Sequence, residues 1–330
     1  MYTKSPRNLV LIHRGPQYVR DFKEIAEKVN ALDRSITVYH LPSSLDVELP
    51  VSAWQHPTLT VSLIRTFRLP IRRGPVLRNA SVPKLVQQEI FRRNGIATSP
   101  AMPFRFGMKL DPILFGEFVV LKTADLNLTS KGANLHLFRR SRAQQITSTD
   151  FPAGHPLRRH PDSYLVQRFI DTGSNPTYFR IAVFMNRILY VWQTVIDETR
   201  PPLNAPDHVL EQAVIDIKGG TMRRKLVTHE PVLEAARKAA AAFPDVPLLA
   251  IDLVVQQDSG MIWVLEVNAG GNSWHFSSSY GKGLRRNFGL EAGADEASAE
   301  EMGRLQLIGQ FNAFDVAAEA LVSRTISLAG

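Results

Sequence analysis

The chain has 330 residues, 44% apolar and 21% charged, enough to build two or three subdomains around a substantial core, and its lack of cysteine excludes disulfides, thiolate metal sites and a cysteine nucleophile. No run approaches the roughly 20 apolar residues that span a bilayer, and residues 2–15 lack a signal-type apolar stretch, so the expected setting is cytoplasmic, away from membranes. The net charge of +8 and pI near 9.8 raise nucleic acid as a partner, but the pairs Arg72-Arg73, Arg92-Arg93, Arg139-Arg140, Arg158-Arg159 and Arg285-Arg286 are scattered and no nucleic-acid motif accompanies them, so none is expected.

In chain order, residues 9–12 read as a short apolar strand. Tyr18, Phe22, Ile25, Val29 and Leu32 recur at helical spacing, and 36–41 is a second strand. A strand–helix–strand unit implies parallel pairing, and 59–64 is a candidate third strand. Ser81 is expected to cap a helix that admits Pro83 in its first turn, buries Val82, Val86 and Ile90, and ends at Gly95. Strands follow at 118–122, 135–138 and 164–170. The runs 179–185 and 188–192 suggest a hairpin about Asn186-Arg187, and 248–255 with 261–267 a second one about residues 257–260. Residues 231–243 are helical by alanine content. Ser298 with Glu301 fits a capping box that opens one long helix with the apolar stripe Met302, Leu305, Ile308, Phe311, Ala318 and Leu321. The fold class is α/β, becoming α+β in the C-terminal half.

The second hairpin carries the strongest chemistry. Folded about 257–260, its cross-strand partners have numbers summing to about 517, which puts Asp252 beside or opposite Glu266. Facing Cβ atoms there lie roughly 5 Å apart, where like charges destabilise the pair. Both acids interrupt very apolar runs, so their repulsion is poorly screened and something positive belongs between them. Asn268 shares the face of Glu266. Two carboxylates and an amide oxygen form an all-oxygen set suited to Mg²⁺ or Mn²⁺ with water and phosphate oxygens; the competing reading has the acids outward or paired with arginines.

Asp252, then Glu266-Val267-Asn268 followed by 269–272, resembles the magnesium-binding end of the ATP-grasp superfamily, in the manner of its ribosomal S6 modification and glutathione synthetase members. The resemblance runs from about Asn79 to Asn272 and implies an ATP-grasp fold with an N-terminal Rossmann-like domain: 1–80 preceding, 81–172 the small subdomain with its lid, 173–330 the large subdomain with the metal site and C-terminal helix. It implies ATP and Mg²⁺ (or Mn²⁺) as cofactors, with Asp252, Glu266 and Asn268 on the metal. Lys84 and Lys122 would lie on the phosphates, and Lys122 and Arg180 would act catalytically. The lid would be residues 129–134, including Ser130, Lys131 and Gly132; its single glycine departs from the family's glycine-rich pattern. The hinge strand implies Gln167, Arg168, Phe169 and Ile170 around adenine and Asp171 on ribose, and before Arg180 the residues Tyr178-Phe179 also depart from the usual acidic-then-hydrophobic pair.

The implied activity is an ATP-dependent carboxylate–amine (or carboxylate–thiol) ligase that forms an acyl-phosphate and releases ADP and phosphate. A kinase stopping at phosphoryl transfer and a nucleotide binder without turnover remain alternatives. The partners are a small-molecule or peptide carboxylate and an amine, with a homodimer also open. The loop after the metal strand makes Asn272, Ser273 and His275 substrate candidates, and the run Arg223-Arg224-Lys225 offers cations for an acidic substrate.

Overall fold

The computed structural model describes residues 5–43, 49–65, 73–124, 135–213, 215, 221–270, 273–290 and 293–329. β1 (Arg7–His13), α1 (Val19–Leu32) and β2 (Ile36–Pro42) form the expected parallel unit, which β3 (Thr58–Ser62) and β4 (Val76–Arg78) extend to a four-stranded parallel sheet of order β2-β1-β3-β4. Phe22, Ile25 and Val29 on the inner face of α1 pack with Leu9, Leu11, Leu59 and Val61 of the sheet. β4 is too short to show a pattern in sequence.

α2 (Lys84–Arg93) starts later than the punctuation implied. Pro83 is its N-cap with ψ 142°, and no side chain caps it, so Ser81 lies outside the helix. A residue before proline is driven to extended backbone, which postpones the helix until after Pro83. The buried face shifts accordingly: Gln87 and Phe91 are buried while Val86 is exposed. Next come β5 (Ala101–Pro103), β6 (Phe118–Thr123), β7 (His136–Arg139) and β8 (Tyr164–Arg168), an antiparallel sheet of order β5-β8-β6-β7 over its own cluster of Phe104, Phe115, Phe138 and Leu157.

The third sheet holds β9 (Thr177–Phe184), β10 (Arg187–Ile196), β11 (Met222–Leu226), β12 (Leu248–Val255) and β13 (Ile262–Ala269) in the order β11-β10-β9-β12-β13, antiparallel throughout. Its first hairpin turns on Met185-Asn186, one residue earlier than the sequence indicated, with φ of 46° and 65°. Two consecutive positive φ angles match the strand twist, and asparagine tolerates that conformation better than most residues. β11 reads MRRKL, a charged edge strand with no apolar signal.

Alternation gives this sheet two different faces. Phe179, Ile181, Val183, Leu249, Ile251 and Leu253 pack on α3 (Glu230–Ala241) through Val232, Ala236, Ala239 and Ala240. Ala182, Phe184, Tyr190, Trp192 and Leu248 face Trp274 and Phe276, and beyond them α4 (Lys282–Gly289), α5 (Glu296–Gly309) and α6 (Ala313–Leu328). The last two replace the single long helix expected from the apolar stripe. Asn312, at φ 52°, breaks it, and Gln310 reaches the sheet, accepting from Val191 N and donating to the carbonyls of Val191 and Val227, so that it continues the pairing where β11 ends. The cap of α5 is Asp295, which accepts from Ala297 and Ser298 N–H, so Ser298 is not the cap; Leu305 of the expected stripe is exposed.

Asp21 of α1 ties these layers together. It accepts from Trp274 Nε1 at 2.8 Å and from Arg304 Nη2 at 2.7 Å and is fully buried, which fixes the loop after β13 against the N-terminal sheet layer. No helix among the described residues is long and apolar enough to cross a membrane.

Candidate functional site

One row of side chains crosses the third sheet on its aromatic face. Asp252 is paired with Glu266 on β13 and with Arg180 on β9, and Arg180 with Trp192 on β10. The acids face each other because of a bulge. From Val255 back to Leu253 the partner numbers sum to 517, and from Asp252 onward they sum to 518, leaving Leu265 unpaired. An extra residue flips the strand's alternation, which is how a bulge re-aims a side chain, and here it turns Glu266 to the face of Asp252.

Charge at the row is balanced by cations from two elements and an amide from a third. Arg180 donates from Nε to Asp252 Oδ1 and from Nη2 to Asp252 Oδ2, both at 2.7 Å. Lys84, the first residue of α2, has Nζ 3.4 Å from Glu266 Oε2 and 3.1 Å from the Thr123 carbonyl of β6 to which it donates. Asn268 Nδ2 donates to Asp252 Oδ2 at 3.0 Å and Glu266 Oε1 at 3.1 Å, bridging the acids. Asp252 thus has the arginine partner of the competing sequence reading, and what lies between the two acids is a neutral amide, with the cations flanking the pair.

The electrostatics follow from this placement. Burial raises the Asp252 pKa, while Arg180, and more weakly Lys122, pull it back. Burial likewise opposes the charge on Arg180, but the two-bond partnership with Asp252 outweighs it and leaves the guanidinium more firmly protonated than a free arginine. For Glu266 burial is again the largest influence and opposes ionisation, yet Lys84 and Lys122 prevail and hold the pKa at about 2. Asp252 is therefore the carboxylate that depends on its partner, and Glu266 the one already committed to charge.

The donor set can be tested for a metal. Among the described residues no three His, Cys, Asp or Glu side chains converge as a complete cage. The amide nitrogen that bridges the two carboxylates stands where their negative potential would hold a hard cation, and an Asn whose amide is turned offers oxygen in place of nitrogen. Such a partial oxygen set fits Mg²⁺, which keeps water and substrate oxygens in its shell.

Sequence reasoning missed Gln87. Buried one helical turn before Phe91, it donates from Nε2 to the carbonyls of Val82 and Val267 and accepts from Val267 N–H at 2.7 Å, so its amide acts as a further strand along β13 between Glu266 and Asn268. A glutamine in line with a buried phenylalanine was the available signal. Gln87→Leu strands both polar groups of Val267, and we expect a loss of about 1–3 kcal/mol in urea unfolding; no change would mean the clamp is dispensable.

On the side of β8, Gln167 is buried and donates to the Ser99 carbonyl at 3.1 Å, while Arg168 lies over the Trp263 ring at 5.5 Å. Ile170 is buried, and Phe169 lies under Arg200. The Gln167 amide and the Arg168 guanidinium are thus held by protein. Asp171 Oδ1 accepts from Gly173 N–H and from Arg200 Nη2, both at 2.9 Å, so one of its oxygens is already engaged. Ser130, Lys131, Gly132 and Asn272 lie outside the described residues.

Ser273 and His275, expected as substrate candidates, are instead buried, at 6% and 1% exposure, and their side chains are closed off from solvent. Tyr190 is the cause: its hydroxyl donates to the Ser273 carbonyl and shares a 2.5 Å contact with His275 Nδ1. Burial, with the charges of Arg180, Arg285 and Arg224, lowers the His275 pKa to about 3. A histidine held neutral in the fold and free to protonate near 6.5 when unfolded contributes stability above pH 6.5 that is lost as pH falls toward 3. Thermal unfolding should weaken over that range by up to about 1.4 kcal/mol per pH unit from this group, and the slope should be smaller in His275→Gln.

No family profile matches the chain and no curated protein matches its sequence. Among solved structures it is similar to the D-cycloserine synthetase DcsG, at 14% identity and TM-score 0.48 over 96% of this chain and 99% of that one. D-alanine–D-alanine ligase from Bacillus anthracis aligns at 14% identity and TM-score 0.43, over 93% and 97%. The ATP-grasp ligase PsnB, solved with a minimal precursor, aligns at 14% and 0.44, over 91% and 99%. At such scores the likeness is one of general arrangement, and what the chain does has to be argued from its own residues.

Proposed function

We propose that the chain is an ATP-grasp enzyme: an ATP-dependent ligase that joins a carboxylate to an amine, or a thiol, through an acyl-phosphate, with ADP and phosphate as products. The observation that carries this reading is the row Glu266–Asp252–Arg180 with Lys84 and Lys122 acting on it, because it concentrates acids that need a cation beside cations suited to phosphate. A divalent cation held by Asp252, Glu266 and Asn268 would supply positive charge against the phosphate oxygens.

The protein's own groups have separable roles in this scheme. Lys84 and Lys122 are point charges on flexible stems, able to follow phosphate oxygens, and Lys84 already sits at the seam between α2 and β6. Arg180 spends two N–H groups on Asp252, and its Nη1 makes no hydrogen bond among the described residues, which leaves a planar donor for charge developing on a transferred phosphoryl or acyl group. Residues 164–171 would line the adenine side, and Ser130, Lys131 and Gly132 would cover the phosphates and exclude water that otherwise hydrolyses an activated acyl group. We take 1–80, 81–172 and 173–330 as the three domains and the cytoplasm as the setting.

The test is an ADP-release screen across paired carboxylates and amines. Phosphate released only when both are supplied supports the ligase. ADP formed with a phosphorylated acid and no dependence on amine would favour a kinase, and nucleotide binding without ADP anywhere in the panel would favour a binding protein.

A further inference from the structure

The same sheet face continues beyond Arg180 into a second polar hollow. Tyr178 lies opposite Thr194, and Thr194 opposite Arg224, one same-face row along from Arg180 and Trp192. Tyr178, Arg180, Trp192 and Arg224, with Tyr280 and Asn287 from the far side, line a half-open cavity of about 290 Å³. That volume is at the small end for ligand sites, which are roughly 300–1,000 Å³.

Three observations define what fits. Two arginines line the cavity and no acidic side chain does, so it repels an ammonium group and attracts anions. Trp192, 1% exposed, lines it, and the buried indole N–H of Trp192 and Nε of Arg224 have no hydrogen-bond partner. Buried donors without acceptors are uncommon in folded proteins, and a bound acceptor is one standard explanation. The neighbouring cations have other occupations or directions: Arg223 is bonded to Asp197 at 2.6 Å and is 75% exposed, and Lys225 is exposed on the same opposite face. Of the basic run 223–225, alternation sends only Arg224 into the hollow.

We infer that this cavity is the acid subsite and that it takes a short dicarboxylate: one carboxylate reaches Arg180 and the reaction centre, while Arg224, with the Trp192 N–H, holds the other. The two arginines stand on strands two apart and rows two residues apart, about 12 Å between Cα atoms, and both line the one cavity, so a diacid supplies one carboxylate to each guanidinium. Arg180 is the catalytic end and Arg224 the specificity-determining end. The inference rests on the ligase reading for which carboxylate reacts, but not for binding itself.

The experiment is calorimetric titration of the full chain with succinate and glutarate, with their monomethyl esters, and separately with Mg·ATP, each acid being run with and without Mg·ADP. We expect at least one diacid to bind ten-fold or more tighter than its half-ester. Arg224→Gln should lose ten-fold or more of that affinity, Arg223→Gln none, and Mg·ATP affinity should be unchanged in both. If Arg224→Gln does not fold, Arg224→Lys serves, retaining the preference for diacid over half-ester at reduced affinity. Binding of neither diacid, equal binding of half-esters, or equal effects of the 223 and 224 substitutions would overturn the assignment. Diacid binding without any Mg·ATP binding would support the subsite and defeat the ligase reading; Mg·ATP binding without diacid binding would do the reverse.

Discussion

Glu266→Gln should abolish ATP-dependent turnover, by roughly 10³-fold or more on the scale of removing a group that stabilises transition-state charge, while leaving the fold almost unchanged. The two effects separate because of where the side chain sits. Glu266 is 23% exposed, its nearest cation is 3.4 Å away, and its amide replacement keeps an oxygen for Asn268. What Gln cannot replace is the negative charge. Asp252→Asn should lose turnover equally, but at a larger cost in stability, since it leaves Arg180 without the carboxylate that holds two of its N–H groups. A further signature belongs to Glu266 alone. Its pKa falls from an ordinary 4.5 to about 2, so its stabilisation is complete above pH 4.5 and disappears as pH drops toward 2. The stability gap between wild type and Glu266→Gln should shrink over that interval in denaturant unfolding; a constant gap would contradict the ion-pair account.

Arg180→Met should destabilise the protein by about 3–5 kcal/mol, the usual penalty for removing one partner of a buried pair. Asp252 is 7% exposed and burial already raises its pKa, so without the guanidinium its carboxyl should take up a proton well above the ordinary carboxylate range. Turnover should vanish as well. Adding Asp252→Asn to Arg180→Met should restore much of the stability, because the unpaired charge is gone, and none of the turnover. Additive losses in the double variant would mean the two side chains do not function as a pair.

Much of this arrangement was legible before any coordinates. β1, β2 and the strand 248–255 show as apolar runs and α1 as a helical period, while the neighbourhood of Asp252 and Glu266 follows from where their hairpin turns. The bulge at Leu265 was not legible, yet it decides whether the acids meet on one face; backbone slips of one residue leave no mark on composition. β11 escaped because an edge strand with three consecutive basic residues has no apolar period, although Arg224 on it lines the second cavity. The burial of His275 and Ser273 was hidden for another reason: it depends on Tyr190, more than eighty residues earlier in the chain, and on aromatic packing that no local pattern specifies. Gln310 and Gln87 belong with these, since side-chain amides that stand in for a strand are recognised only once the strand edge they serve is known.

The most direct test is calorimetric titration of ATP into wild type and Glu266→Gln, each with Mg²⁺ and with the metal chelated. Tight binding by wild type that requires Mg²⁺, weakened ten-fold or more by the substitution, is the predicted result. Equal affinity in all four titrations would show that the facing acids have nothing to do with a metal-bound nucleotide.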